Sequence, residues 1–160
     1  MSYCIILRGP AASGKTTIAL RLQQELGAHH ICIDQIKKRL GLKHSEQEKL
    51  QANTIALQEA KEHLAKGRVV IFEEVFYYAS QLSGLVAQLP VPHKIFSLYA
   101  PAELCVQRNI QRRKAGLRNM SDEDVKLVHE LVSRVAYGIP VATSGVTVDE
   151  TLSTILSHLT

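Results

Sequence analysis

The chain has 160 residues, 46% of them hydrophobic and 21% charged, with a formal charge of +4 and a pI near 9.0. That length suits one domain with a real core, and that balance excludes a disordered or low-complexity chain. Apolar runs such as Val69–Phe72 fall far short of the roughly 20 residues of a membrane span. The positive excess fits an anionic ligand: nucleotide phosphates suffice, and nucleic acid is one further option.

Tyr3-Cys4-Ile5-Ile6-Leu7-Arg8 is a β-favouring apolar run ended by Gly9-Pro10, which predicts a buried strand. Ile18, Leu22 and Leu26 recur at helical spacing up to Gly27, a C-terminal stop. A second strand is expected over His30–Ile33, closed by Asp34, then a short helix from Gln35 to Leu40. Ser45 and Glu48 have capping-box spacing at the start of a long helix to Lys66, which Gly67 ends. Arg68–Phe72 reads as a third strand followed by Glu73-Glu74, Ala79–Gln88 as a helix and His93–Tyr99 as a fourth strand. Pro101 opens a basic helix to about Lys114. Asp122–Ala136 reads helical, Ile139–Thr143 as a fifth strand, and Thr147 with Glu150 caps a last helix to about Leu159. Near-continuous apolar strands alternating with helices predict a parallel sheet covered on both faces. Ligands of such sheets bind beyond the carboxyl ends of the strands, where Gly9–Thr16, Asp34 and Glu73-Glu74 all fall.

Gly9-Pro10-Ala11-Ala12-Ser13-Gly14-Lys15-Thr16 fits the Walker A pattern in full, between a strand and a helix. Its glycines let successive N–H groups face phosphates, and the following helix, which Thr17 continues, adds its positive end. Lys15 is expected on the outer phosphates and Thr16 on Mg²⁺. Asp34 has two readings: cap of the next helix, or general base taking a proton from a substrate hydroxyl. Glu73 and Glu74 follow four apolar residues as a Walker B element would, Glu73 being the better candidate for the metal, with the extra methylene of glutamate allowing contact through water. Arg108, Arg112 and Arg113, with Arg118 beyond Gly116, mark either an arginine-bearing lid over about 108–122 or an exposed basic helix. Lys37-Lys38-Arg39 reads by default as a solvated face. The seven histidines show no linear ligand spacing, and Cys4, Cys32 and Cys105 read as reduced core thiols. A cytoplasmic protein is expected, without a cleaved leader, since removing roughly 15 residues would take most of the phosphate loop.

With these residues in order, the chain resembles P-loop kinases of the shikimate-kinase and nucleoside-monophosphate-kinase group, and within it chloramphenicol phosphotransferase-like proteins. The likeness runs through the Walker A loop, Ile33-Asp34, Val70-Ile71-Phe72-Glu73-Glu74-Val75-Phe76, Arg108 and Arg112, Val128-His129-Glu130, and Tyr137 with Val141 and Thr143. It implies a five-stranded parallel sheet in one kinase domain over 1–160, ATP and Mg²⁺ as cofactors, Asp34 as catalytic base, Lys15 and lid arginines such as Arg112 on phosphate, and Arg108 or a neighbour such as Arg113 beside the adenine. The departures are a glutamate pair in place of aspartates and Ala142 in place of a last-strand Asp. His129 reads as a packing histidine that the analogy would let orient substrate. The expected activity is transfer of the ATP γ-phosphate to a hydroxyl of a small metabolite or antibiotic-like molecule. The alternatives are a polynucleotide 5′-hydroxyl kinase, with Lys37 three residues after Asp34, and an ATPase or nucleotide-binding regulator without an acceptor. No Asn-Lys-x-Asp guanine motif occurs.

Overall fold

The computed structural model describes residues 1–117 and 120–160. Arg118, one of the basic residues named above, lies outside the described residues. In chain order the elements are β1 (Cys4–Arg8), α1 (Lys15–Leu26), β2 (His29–Cys32), α2 (Ile33–Arg39), α3 (Glu46–Leu64), β3 (Val70–Glu73), α4 (Ala79–Ala87), β4 (His93–Tyr99), α5 (Ala102–Lys114), α6 (Asp122–Ser133), β5 (Ile139–Ala142) and α7 (Val148–Ser157). The five strands are all parallel, in the order β2-β3-β1-β4-β5.

Alternation along β1 feeds two cores. Cys4 and Ile6 pack on one face with Val70, Phe72, Leu57 of α3 and Leu82 of α4. Ile5 and Leu7 pack on the other with Ile18 and Leu22 of α1 and Leu152 and Ile155 of α7. Each such side chain contributes about 1.5–3 kcal/mol on burial, so β1 is clamped from both sides and its C-terminal end is a fixed platform. A smaller cluster of Ala12, Ala100, Cys105 and Val125 seats α5 and α6 against the loop after β1.

Caps explain several boundaries. Ser45 accepts from the Glu48 backbone N–H, and the Glu48 carboxylate in turn accepts from Lys43 N at 2.6 Å. Thr147 and Glu150 form the complete reciprocal box at α7. Other boundaries move. β3 begins at Val70 and takes in Glu73, α6 stops at Ser133, and α7 stops at Ser157. The larger shift is at β2, which closes at Cys32, so that Ile33 opens α2 and Asp34 sits in its first turn with Cys32 as the cap residue. Ile33 is β-branched and favours a strand locally, but it is fully buried with Ile31 and Ile36, and that packing sets the conformation. Asp34 is therefore neither a strand terminus nor an N-cap.

Candidate active site

The phosphate loop is held by its own backbone. Ser13 N donates to Pro10 O at 3.2 Å, Ile18 N donates to Gly14 O at 3.1 Å, and Lys15 Nζ donates to the carbonyls of Gly9 (2.9 Å) and Pro10 (2.7 Å). A Cβ on Gly9 would stand 2.6 Å from Leu98 O and 2.8 Å from Ser13 Oγ, so no other residue fits that approach. Ala12 accepts a left-handed conformation at φ 61°, which turns the loop inward. Ala11, Ala12 and Ser13 are buried, and Ser13 Oγ is enclosed without a partner. Gly14 caps α1, while Thr16 and Thr17 stand exposed at the helix's positive end. This cradle suits a polyphosphate.

Register sets the rest of the site. Leu7 of β1 and Cys32 of β2 both pair with Glu73 of the intervening β3. The phosphate loop after β1 and the first turn of α2 after β2 thus leave the sheet from the same edge, with β3 between them. The Thr16 hydroxyl donates a short hydrogen bond to Glu73 Oε1, and His30 Nε2 lies 2.7 Å from Glu73 Oε2. Burial pushes the Glu73 carboxyl up, but hydrogen bonds from His30 and Thr16 and the Lys15 charge outweigh it and hold the group below the usual carboxylate value. A hydroxyl oxygen aimed by an ionised carboxylate is a hard donor set of the kind Mg²⁺ takes, so Thr16 and Glu73 fit that ion.

Glu74 faces the other way. Its carboxylate lies 2.9 Å from Lys37 Nζ and 3.8 Å from Lys49 Nζ, all three side chains being buried. Lys37 also reaches Asp34 at 3.5 Å, and Lys38 lies 3.3 Å from the other Asp34 oxygen. Burial pushes Lys37 down, but Glu74 outweighs it and the net direction is up. Lys49 has no hydrogen-bond partner and sits over the Tyr77 ring at 4.3 Å, and burial pushes it down to about 8. The Lys37-Lys38-Arg39 run is therefore split: Lys37 is 2% exposed, and only its two neighbours face water.

On the far side of β1, Arg108 donates to Ala12 O (3.3 Å), Thr143 Oγ1 (3.3 Å) and Thr143 O (2.6 Å). Thr143 Oγ1 donates to Ser13 O at 2.7 Å. Together they border a cavity of about 210 Å³ beside Gly14 and Thr17, with Arg112, Val146 and Thr147 in its wall. Arg108 and Arg112 thus come to the phosphate loop. Arg113 does not: it ties α5 to the start of α6 through Met120 O and Asp122, each at 2.9 Å. His129 Nε2 bonds Ala100 O at 2.8 Å, the packing role.

Two participants escaped the sequence. His30 and Lys49 matter through partners on β3, and the only available signal was a polar residue inside an otherwise apolar strand or helix face. At the opposite end of β2, His29 stacks on His63 at 3.5 Å and bonds Glu59 at 2.7 Å, a gathering that no linear spacing revealed. Arg68 also contacts His63 Nδ1, at 3.3 Å.

Among curated proteins none matches the chain. Among solved structures it is similar to the APS kinase CysC of Mycobacterium tuberculosis in complex with AMPPNP and APS (TM-score 0.75, 13% identity, covering 99% of this chain and 97% of that one). It is also similar to a gluconokinase from Sinorhizobium meliloti (TM-score 0.71, 15% identity, 98% and 90%) and to shikimate kinase from Acinetobacter baumannii in complex with shikimate (TM-score 0.67, 21% identity, 98% and 92%). The fold is accordingly that of the P-loop kinases, whose cofactors are ATP and Mg²⁺. Among the described residues no helix is long and apolar enough to cross a membrane. The family described as an AAA domain (AAA_33) matches residues 4–135, well over half the sequence, and the chain belongs to it.

Proposed function

We propose that the protein is an ATP-dependent phosphotransferase that moves the γ-phosphate to a hydroxyl of a small molecule, with Asp34 accepting the hydroxyl proton. The observation that carries this reading is the set of contacts at the carboxyl end of β3: Glu73 joins Thr16 of the phosphate loop, and Lys37 spans Glu74 and Asp34, so that loop and carboxylate border the same sheet edge. ATP, when bound, supplies the phosphoryl group and Mg²⁺ its charge neutralisation, with Lys15 on the outer phosphates and Thr16 on the metal. Glu73, whose two oxygens already serve Thr16 and His30, acts on the metal through the threonine. Lys37 and Lys38 hold the Asp34 carboxylate in place. Arg112 and Arg108 stand where charge on the transferring group needs a counterweight, and residues 108–122 act as the lid.

Acceptor-dependent ADP release across a panel of hydroxyl compounds tests this reading. Replacing Asp34 with Asn should lower turnover by about 10²–10⁴-fold and leave ATP affinity unchanged; unchanged turnover removes Asp34 from the base role. ADP release at the same rate with and without acceptors would mean an ATPase. The polynucleotide reading leaned on Lys37, which is buried against Glu74 and so poorly suited to a nucleic-acid phosphate. The narrower likeness to chloramphenicol phosphotransferases rests on the sequence segments alone.

A further inference from the structure

His29 opens β2 and stands level with Val70 and Cys4, the first residues of β3 and β1, at the end of the sheet opposite the phosphate loop. Glu59 and His63 lie one turn apart on α3, so their side chains share a face. Buried neighbours fix both backbones: Ile31 further along β2, and Ala60 and Leu64 on α3. The His29 and His63 rings stack at 3.5 Å with 7° between their planes, and His29 Nε2 stands 2.7 Å from Glu59 Oε1. All three residues are half-buried.

A carboxylate only accepts, so His29 carries a proton on Nε2. A guanidinium only donates, so the Arg68 contact at 3.3 Å leaves His63 Nδ1 bare. Burial first, and then the neighbouring His29 and Arg68, hold His63 below the usual histidine value, which favours the neutral ring that metals bind. Two imidazoles and one carboxylate are a donor set for zinc and its neighbours in the first transition row, whereas Mg²⁺ and Ca²⁺ take oxygen ligands. The three ligand atoms lie within 4.8 Å of one another. Atoms sharing one tetrahedral Zn²⁺ at about 2.0–2.2 Å stand about 3.3–3.5 Å apart. Closing that difference takes a turn of the half-buried rings about χ2, a broad torsion in histidine. Arg68 is exposed, and its long contact yields at little cost.

We infer that His29, Glu59 and His63 form a site for a divalent transition-metal ion of the zinc type, separate from the Mg²⁺ site of the phosphate loop and bracing β2 against α3. The ion takes the place of the proton between His29 and Glu59, the ring keeping its proton on Nδ1, and water completes the shell. The inference does not depend on the phosphotransferase reading. Untagged protein in excess Mg²⁺ is titrated with zinc chloride by calorimetry, and its thermal unfolding is followed at each concentration. One ion should bind per chain, with a Tm that rises with zinc. His63→Ala and Glu59→Ala should each weaken binding by more than about 10-fold, since losing even an outer partner of a metal costs about 10–100-fold. His93→Ala, at an exposed histidine on β4, should leave it unchanged. Co²⁺ used as the probe should show visible d–d bands without a thiolate charge-transfer band. Absence of saturable binding, affinity that survives both α3 substitutions, an equal loss in His93→Ala, or a thiolate band would each overturn the site. Circular dichroism checks that the variants fold, and His63→Gln, judged by the same criterion, replaces any that does not.

Discussion

Glu73 and Glu74 are neighbours in sequence and both are buried, yet they work in opposite ways. Successive residues at a strand end point to opposite sides, so Glu73 meets the phosphate loop and Glu74 meets α2 and α3. Glu73 is stabilised mainly by directed hydrogen bonds, from Thr16 and His30, with Lys15 adding charge at longer range. Glu74 is stabilised by two buried ammonium groups, one close at 2.9 Å and one loose at 3.8 Å. The first arrangement fixes the Thr16 hydroxyl beside the phosphate loop, where the proposed reaction needs it. The second neutralises charge in the interior between β3, α2 and α3. The same residue type thus has a chemical role in one direction and a folding role in the other.

Substitution can break that contrast. The largest effect is expected from Glu74→Gln, which strands Lys37 and Lys49 in the interior. Urea unfolding should show a loss of about 3–5 kcal/mol, as for other broken buried pairs, with nucleotide affinity of the folded protein unchanged. Glu73→Gln should do the reverse. Stability should change little, while the Mg²⁺ concentration needed for half-maximal turnover should rise by about 10–100-fold, the usual cost of a lost outer partner. An equal stability loss in both variants would erase the distinction. The smallest effect is expected from Lys49→Met. Lys49 has its pKa lowered from 10.5 to about 8, so between those values the unfolded chain binds more protons at this position than the native one does. Stability linked to Lys49 therefore rises with pH across that window. Buried thiols oppose it at higher pH, since burial pushes Cys4 to about 12 and Cys32 to about 11. Lys49→Met should match or exceed the parent at pH 7, and the parent's gain relative to this variant should appear between about pH 8 and 10. A difference that is flat with pH would show Lys49 to be charged throughout.

The phosphate loop was legible because its function is written in consecutive residues: glycines at 9 and 14, then Lys15 and Thr16, between a strand and a helix. The alternating strands and the caps at Ser45 and Thr147 were legible for the same reason. Residues whose meaning comes from another element were not. Ile33 reads as strand until the burial of Ile31 and Ile36 is known. Lys37 reads as part of a solvated run until Glu74 is placed beside it. His30 reads as one histidine of seven until β2 is laid next to β3. Arg8 reads only as the end of a buried strand until Ser97 of β4 and Val132 of α6 are placed beside it. Pairwise adjacency across the sheet, the least local property of the fold, separates these from the loop.

The Thr143 hydroxyl touches the phosphate loop through Ser13 and α5 through Arg108 at once. A tether at that point divides α5 mechanically. The turns before Arg108 are pinned to the body of the protein, and only the last turns lie beyond the tether. Asn109 and Arg113 both grip Met120 O, which ties those turns to the start of α6, itself seated through Val125 and Met120. The turns that carry Arg112 are therefore held on both sides, by Arg108 before them and by Met120 after them.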